Sequence, residues 1–123
     1  MKTVAVIGAS NDRSKYGNMA VRAFRKAGYQ VFPVNPTEPV IEGFKAYPSI
    51  KDVPGELDTV TIYVRPAVLV KLLPDIAAKG CKDLWLNPGA TSDTVLAEVE
   101  RLGLNAIQGC SILAIGQSPY AMD

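Results

Sequence analysis

The alternation of short apolar runs with stretches of helical periodicity constrains this chain more than any other feature. Residues 3 to 7 (Thr-Val-Ala-Val-Ile) are mostly β-branched and apolar without polar alternation, the pattern of a parallel strand covered on both faces. Gly8 ends the run. After a polar loop, Met19, Ala20, Ala23, Phe24 and Ala27 recur at helical spacing while Arg22, Arg25 and Lys26 take the other positions, and Gly28 offers a left-handed stop. The chain therefore opens as strand, glycine-containing loop and amphipathic helix.

The pattern continues. Gln30 to Val34 reads as a second strand, with Pro33 removing a ladder donor near its end, and Asn35-Pro36 turns the chain out. Thr37 to Glu56 is rich in Pro and Gly and predicts turns, a short edge strand near Lys45 to Tyr47 and one helical turn after Ser49. Asp58 to Val64 reads as a strand. Pro66 then stands at a favoured first helical position, before Val68, Leu69, Leu72, Leu73, Ile76 and Ala77 on one face, and Pro74 predicts a kink or restart. Leu84 to Leu86 is a further strand, Ser92 or Thr91 caps a helix buried through Val95, Leu96, Val99 and Leu102, and Leu104 to Ile107 is the last strand.

Apolar strands joined through helices predict an α/β fold, a single doubly wound, Rossmann-like and mostly parallel sheet with helices on both faces. Its 123 residues fit one domain over residues 1–123, and 48% apolar against 20% charged residues suffice for a packed interior. Thirteen basic and twelve acidic side chains give a net charge of +1, so no bulk field attracts nucleic acid or an anionic membrane. Cys81 and Cys110 form no CxxC pair and have no histidine to complete a metal site; they read as reduced, mostly buried thiols. Without a signal-peptide pattern or an apolar stretch of about 20 residues, a soluble cytoplasmic protein is expected.

Ligands of such sheets bind beyond the carboxyl ends of the strands. That rule gathers Gly8 to Gly17, Asn35-Pro36, Val64-Arg65-Pro66 and Asn87-Pro88-Gly89-Ala90-Thr91 into one crevice. The first loop lies where free N–H groups and a helix dipole attract phosphate. Small residues at Gly8, Ala9 and Ser10 allow close backbone approach, Ser10 offers a hydroxyl, and Arg13 or Lys15 supplies charge. The loop is neither G-x-G-x-x-G nor a P-loop, since Ser10 and Arg13 replace the second and third glycines. NAD sites carry an Asp or Glu at the end of the second strand, whereas this chain has Asn35-Pro36 and meets Glu38 only past the turn. A ribose phosphate is tolerated there, which keeps coenzyme A and NADP as candidates and disfavours NAD.

Together Gly8-Ala-Ser-x4-Lys15-Tyr-Gly17, Gly28-Tyr-x-Val-x-Pro-Val-Asn-Pro36, Tyr63-Val-Arg-Pro66 and Trp85-Leu-Asn-Pro-Gly-Ala90 resemble the small stand-alone CoA-binding proteins, over nearly the whole chain. Those proteins are similar to the CoA-binding domain of the succinyl-CoA synthetase alpha subunit. The resemblance implies Gly8, Ser10, Lys15 and Tyr16 around the phosphates, Asn35 and Pro36 near the adenosine, and Val64 to Pro66 along the nucleotide or pantetheine. Two positions depart from the family pattern: Asn87 stands where Gln is expected before Pro88, and Gln108-Gly109 where charged residues precede Cys110.

The chain contains no histidine, so neither a phosphohistidine relay nor a Ser-His-Asp or Cys-His arrangement is available to it. Asp12, Asp58, Asp83 and Asp93 sit where loops, strand entries and helix starts commonly use Asp. Cys110 has the chemistry to form a mixed disulfide with the CoA thiol, but no basic neighbour in the sequence lowers its pKa, which favours an inert thiol. The expected function is a non-catalytic module that binds coenzyme A or an acyl-CoA, sensing it or delivering it to a protein partner. The alternative is a small NADP-dependent oxidoreductase or NADP-binding module.

Overall fold

In a computed structural model describing residues 1–120, the central sheet has five strands, all parallel. The elements run β1 (Thr3–Ile7), α1 (Tyr16–Lys26), β2 (Gln30–Val34), β3 (Val40–Ile41), β4 (Phe44–Lys45), β5 (Thr59–Ile62), α2 (Pro66–Lys79), β6 (Asp83–Leu86), α3 (Asp93–Arg101), β7 (Ala106–Gln108) and α4 (Ser111–Ala114). A single 3-10 turn, Ile50–Asp52, follows β4; the Ser49 hydroxyl caps it by accepting from the Lys51 N–H at 3.2 Å. The helical turn expected after Ser49 is therefore present.

Sheet order is β2-β1-β5-β6-β7. Between β1 and β5 the winding direction reverses, which is where a doubly wound sheet opens its crevice. Strand alternation sends Val4 and Val6 to one face, where they pack with Ala20, Phe24 and Ile112 of α1 and α4. Ala5 and Ile7 face the other way, against a cluster that includes Leu69, Leu73, Val95 and Val99 of α2 and α3. Val4, Val6, Val60, Ile62 and Leu84 are fully buried. No helix among the described residues is long and apolar enough to cross a membrane.

Several local expectations are corrected. α2 does not restart at Pro74 but continues through it; the proline lies on the exposed face, where water can reach the Val70 carbonyl that loses its intrahelical donor. β2 runs unbroken through Pro33 because the Pro33 carbonyl points away from β1, toward the Tyr47 N–H at 2.9 Å. The missing N–H would face that same outer edge, so the ladder to β1 loses nothing. The expected edge strand is a β3–β4 hairpin turning at Glu42 (φ 50°) and Gly43 (φ 81°), while Tyr47 makes only an isolated bridge to Val34. The final strand sits later than expected, at Ala106–Gln108, and the short helix after it had no counterpart in the sequence reading. Arg22, grouped in the sequence with the polar face of the helix, is buried, with 6% of its surface exposed.

Candidate functional site

The loop from Gly8 to Lys15 is shaped by the protein's own backbone before any ligand is considered. Gly8 has φ 87°, and a β carbon there would come within 2.8 Å of the Tyr63 carbonyl oxygen, so β1 and β5 leave the sheet nearly in contact. Asn35 closes the loop from the other side, its amide donating to the Ala9 carbonyl at 2.9 Å while its carbonyl accepts from the N–H groups of Thr37 and Glu38. Ser10 turns its hydroxyl inward to accept from the Asp12 N–H at 3.0 Å. Asp12 in turn accepts from the N–H and hydroxyl of Ser14, and these bonds hold its carboxyl below the usual range.

Beneath the loop lies a polar brace. Asn18, fully buried, donates to the Ser10 carbonyl at 2.9 Å and the Glu42 carboxylate at 3.1 Å, and accepts from Arg22 at 2.7 Å. Arg22 also donates to the Arg13 carbonyl, and the Arg13 guanidinium stands 3.5 Å from Glu42. Arg13 thus leans toward the hairpin tip. Asn18 and Arg22 share a helix face at i, i+4 spacing, the one sequence signal that could have revealed the brace.

Lys15 is the N-cap of α1 and makes no side-chain capping bond, and the first turn contains no acid. The N–H groups of Tyr16 and Gly17 are consequently left for water or a ligand. They open onto a cleft of about 460 Å³ at the carboxyl end of β1 and β5. Gly8, Lys15, Tyr16, Gly17, Val64, Arg65, Pro88 and Gly89 line it, together with Ser14 and Ala90 of the segments expected to converge there and Tyr63, which lay just outside them. Lys15 and Arg65 supply its charge, and no carboxylate is among its described lining residues.

A second hollow, about 230 Å³, adjoins at Gly8 and Val64 and is walled by Val34, Pro36, Ile50, Val68 and Leu72. A third, about 310 Å³, shares Tyr16, Tyr63 and Pro88 with the cleft and continues past Cys110. Of the other expected residues, Ala9 is buried beneath the loop and Pro66 is the first residue of α2. The buried Asn87 amide donates to the Thr61 hydroxyl at 2.7 Å and the Ile62 carbonyl at 2.9 Å, and its oxygen accepts from the Ser111 N–H at 2.9 Å. Asn87 thereby clamps β5, β6 and α4 together at the floor of the third hollow.

Burial pushes the Tyr63 phenol up to about 12, against the lowering effect of its bond to Ser111, so it is neutral near pH 7. The Tyr16 hydroxyl lies 3.0 Å from that of Tyr120, which raises its pKa. Cys81 and Cys110 are unpaired and half-buried, and no group of residues suited to a metal occurs among the described residues.

The family model described as "CoA binding domain" matches residues 2–117. The alpha subunit of the ADP-forming acetate–CoA ligase II of Pyrococcus furiosus is 40% identical over 92 residues, covering 74% of this chain and 20% of that subunit. The chain thus spans about a fifth of that relative's length. The uncharacterized protein YneT of Bacillus subtilis is 27% identical over 111 residues, covering 90% of this chain and 82% of its own. Among solved structures, a conserved hypothetical protein from Pyrococcus furiosus superposes with a TM-score of 0.86 at 31% identity, covering 93% of this chain and 99% of that one.

Proposed function

The chain belongs to the CoA-binding domain family, and from that premise we propose that it binds coenzyme A as a non-catalytic module that senses the cofactor or delivers it to a protein partner. One observation carries the reading: a cleft with two cations and no described carboxylate meets the open N-terminus of α1 at the sheet's reversal point. Phosphate oxygens suit the N–H groups of Tyr16 and Gly17 and the Lys15 ammonium. Adenine suits the apolar hollow at Pro36, and the pantetheine arm suits the passage between Tyr16 and Tyr63.

The absence of histidine from the sequence supports a binding role over a phosphohistidine relay, and no carboxylate or imidazole is among the cleft's described lining residues to act as a base near neutral pH. Unpaired cysteines favour a reducing, cytoplasmic setting. A net charge of +1 favours a small-molecule ligand over nucleic acid or a membrane.

Calorimetry against coenzyme A, dephospho-CoA, NADP and NAD tests the proposal. CoA is expected to bind most tightly and NAD most weakly. A directly paired ribose phosphate makes CoA about ten- to a hundredfold tighter than dephospho-CoA, from roughly 1.5 to 3 kcal/mol per charge-assisted contact. Preference for NADP, which the neutral Asn35 also permits, would replace this reading with the oxidoreductase one.

A further inference from the structure

A loop that binds phosphate presents N–H groups to the anion and keeps its carbonyl oxygens, the negative ends of the peptide dipoles, elsewhere. Between Gly8 and Lys15 three carbonyls are held by side chains: Ala9 by Asn35 at 2.9 Å, Ser10 by Asn18 at 2.9 Å and Arg13 by Arg22 at 3.0 Å. Asn18 stands in the first turn of α1, directly after the Tyr16 and Gly17 whose N–H groups open onto the cleft. Its amide has two protons, and the one not given to Ser10 goes to the Glu42 carboxylate at 3.1 Å. Glu42 belongs to neither the loop nor α1. It sits at the turn of the β3–β4 hairpin, which the fully buried Ile41 seats in the core. Asn11 fastens the loop to the chain entering that hairpin, donating to the Glu38 carboxylate and the Val40 carbonyl, each at 3.0 Å.

We infer that Glu42 is a positioning residue for the phosphate site: acting through Asn18, it keeps the Ser10 carbonyl off the cleft and so fixes the anion-binding face of the loop, an inference that rests on the CoA-binding reading above. Neither backbone nor charge favours a glutamate there. Its φ of 50° lies in the left-handed region, and no other non-glycine residue among those described has a positive φ. A negative charge beside a phosphate loop opposes the anion. What the side chain supplies is an acceptor. Asn18 is fully buried and the Glu42 side chain only 16% exposed, so removing the carboxylate strands an amide proton unless Asn18 turns, and turning Asn18 releases Ser10. The Arg25 guanidinium, donating to the Glu42 carbonyl at 3.2 Å, holds the left-handed residue in place.

Two substitutions separate the hydrogen bond from the charge. Glu42→Gln keeps an acceptor for Asn18 and removes the charge, whereas Glu42→Gly removes both and relieves the left-handed strain, which favours a folded variant. Calorimetry with CoA, and amide exchange of the ligand-free chain followed by NMR, are compared in wild type and both variants. Glu42→Gly is expected to weaken CoA binding by about tenfold, the effect of one displaced phosphate contact, and to speed exchange between Gly8 and Gly17 more than in β1. Glu42→Gln is expected to bind CoA at least as tightly as wild type, with exchange in the loop unchanged. Wild-type affinity in Glu42→Gly, or Glu42→Gln as weak as Glu42→Gly, would overturn the inference and leave CoA binding standing. Exchange raised equally in the loop and in β1 would also overturn it, because Glu42 would then serve stability alone. Failure of the wild-type chain to bind CoA would overturn both the inference and the reading beneath it.

Discussion

A β carbon built on Gly17 would overlap the carbonyl oxygen of Gly8. The first turn of α1 therefore rests directly on the backbone that leaves β1, and the N–H groups facing the cleft are positioned by that contact. Because the obstacle is backbone and cannot swing aside, Gly17→Ala is expected to cost about 1–3 kcal/mol, typical of overpacking, and to weaken CoA binding as α1 is displaced. Gly28→Ala is the comparison: φ is 89° but nothing lies within 4 Å, so strain lowers stability while affinity holds. Urea unfolding and calorimetry on both variants check this; wild-type stability and affinity in Gly17→Ala would contradict it.

Lys15 lines the cleft, whereas Arg13 stands 3.5 Å from Glu42 and does not. Lys15→Ala is expected to weaken CoA binding by about 1.5–3 kcal/mol, roughly ten- to a hundredfold, and to flatten its dependence on salt. Arg13→Ala should leave affinity within a few-fold, since its guanidinium faces Glu42 and not the cleft. Equal losses of affinity in the two variants would place both cations at the phosphates.

The sequence made β1, its loop and α1 legible because an unbroken apolar run and a helical period differ over only a few residues. The crevice followed from topology once Val64 and Gly8 were assigned to the ends of strands. Other features were not legible. Arg22 looks like any solvated helix cation until the loop carbonyl of Arg13 is brought to it and Asn18, its neighbour one turn away, is tied to Glu42, 24 residues on. α4 spans four residues, too few for a periodic signal, and Glu42 enters a left-handed turn without the Asn or Asp that usually announces one. The hollow past Tyr16 joins segments around residues 16, 63, 88 and 110–120, which no local pattern connects.

Asn87 departs from the glutamine expected before Pro88, and its clamp on Thr61, Ile62 and Ser111 gives the shorter amide a structural duty. Asn87→Ala leaves buried polar groups unsatisfied at about 1–3 kcal/mol each, so a loss of at least about 2 kcal/mol is expected in chemical denaturation. Asn87→Asp should be worse near neutral pH, since a carboxylate would face the Ile62 carbonyl without a proton to donate. A mild effect from both substitutions would mean that the floor of the hollow is held some other way.

Cys81 and Tyr63 together predict how the fold responds to alkali. Burial, with the Asp83 carboxylate nearby adding to it, pushes the Cys81 thiol from an ordinary 9.0 up to about 11; burial pushes Tyr63 from 10.0 to about 12. Below pH 9 both groups are protonated in native and unfolded chains alike and contribute no slope. From pH 9 upward the unfolded chain releases the Cys81 proton while the native protein keeps it, so the native state binds more protons and unfolding free energy falls as pH rises. That Cys81 contribution ends near pH 11, and the Tyr63 contribution runs from about pH 10 to 12 in the same direction. Urea unfolding between pH 8 and 11 is expected to show a stability that declines from about pH 9 and that Cys81→Ser flattens, with Tyr63→Phe flattening only the part above pH 10. A decline between pH 9 and 10 unchanged by Cys81→Ser would assign that slope to other groups, and stability constant to pH 11 would mean that neither side chain is shielded from water as the fold implies.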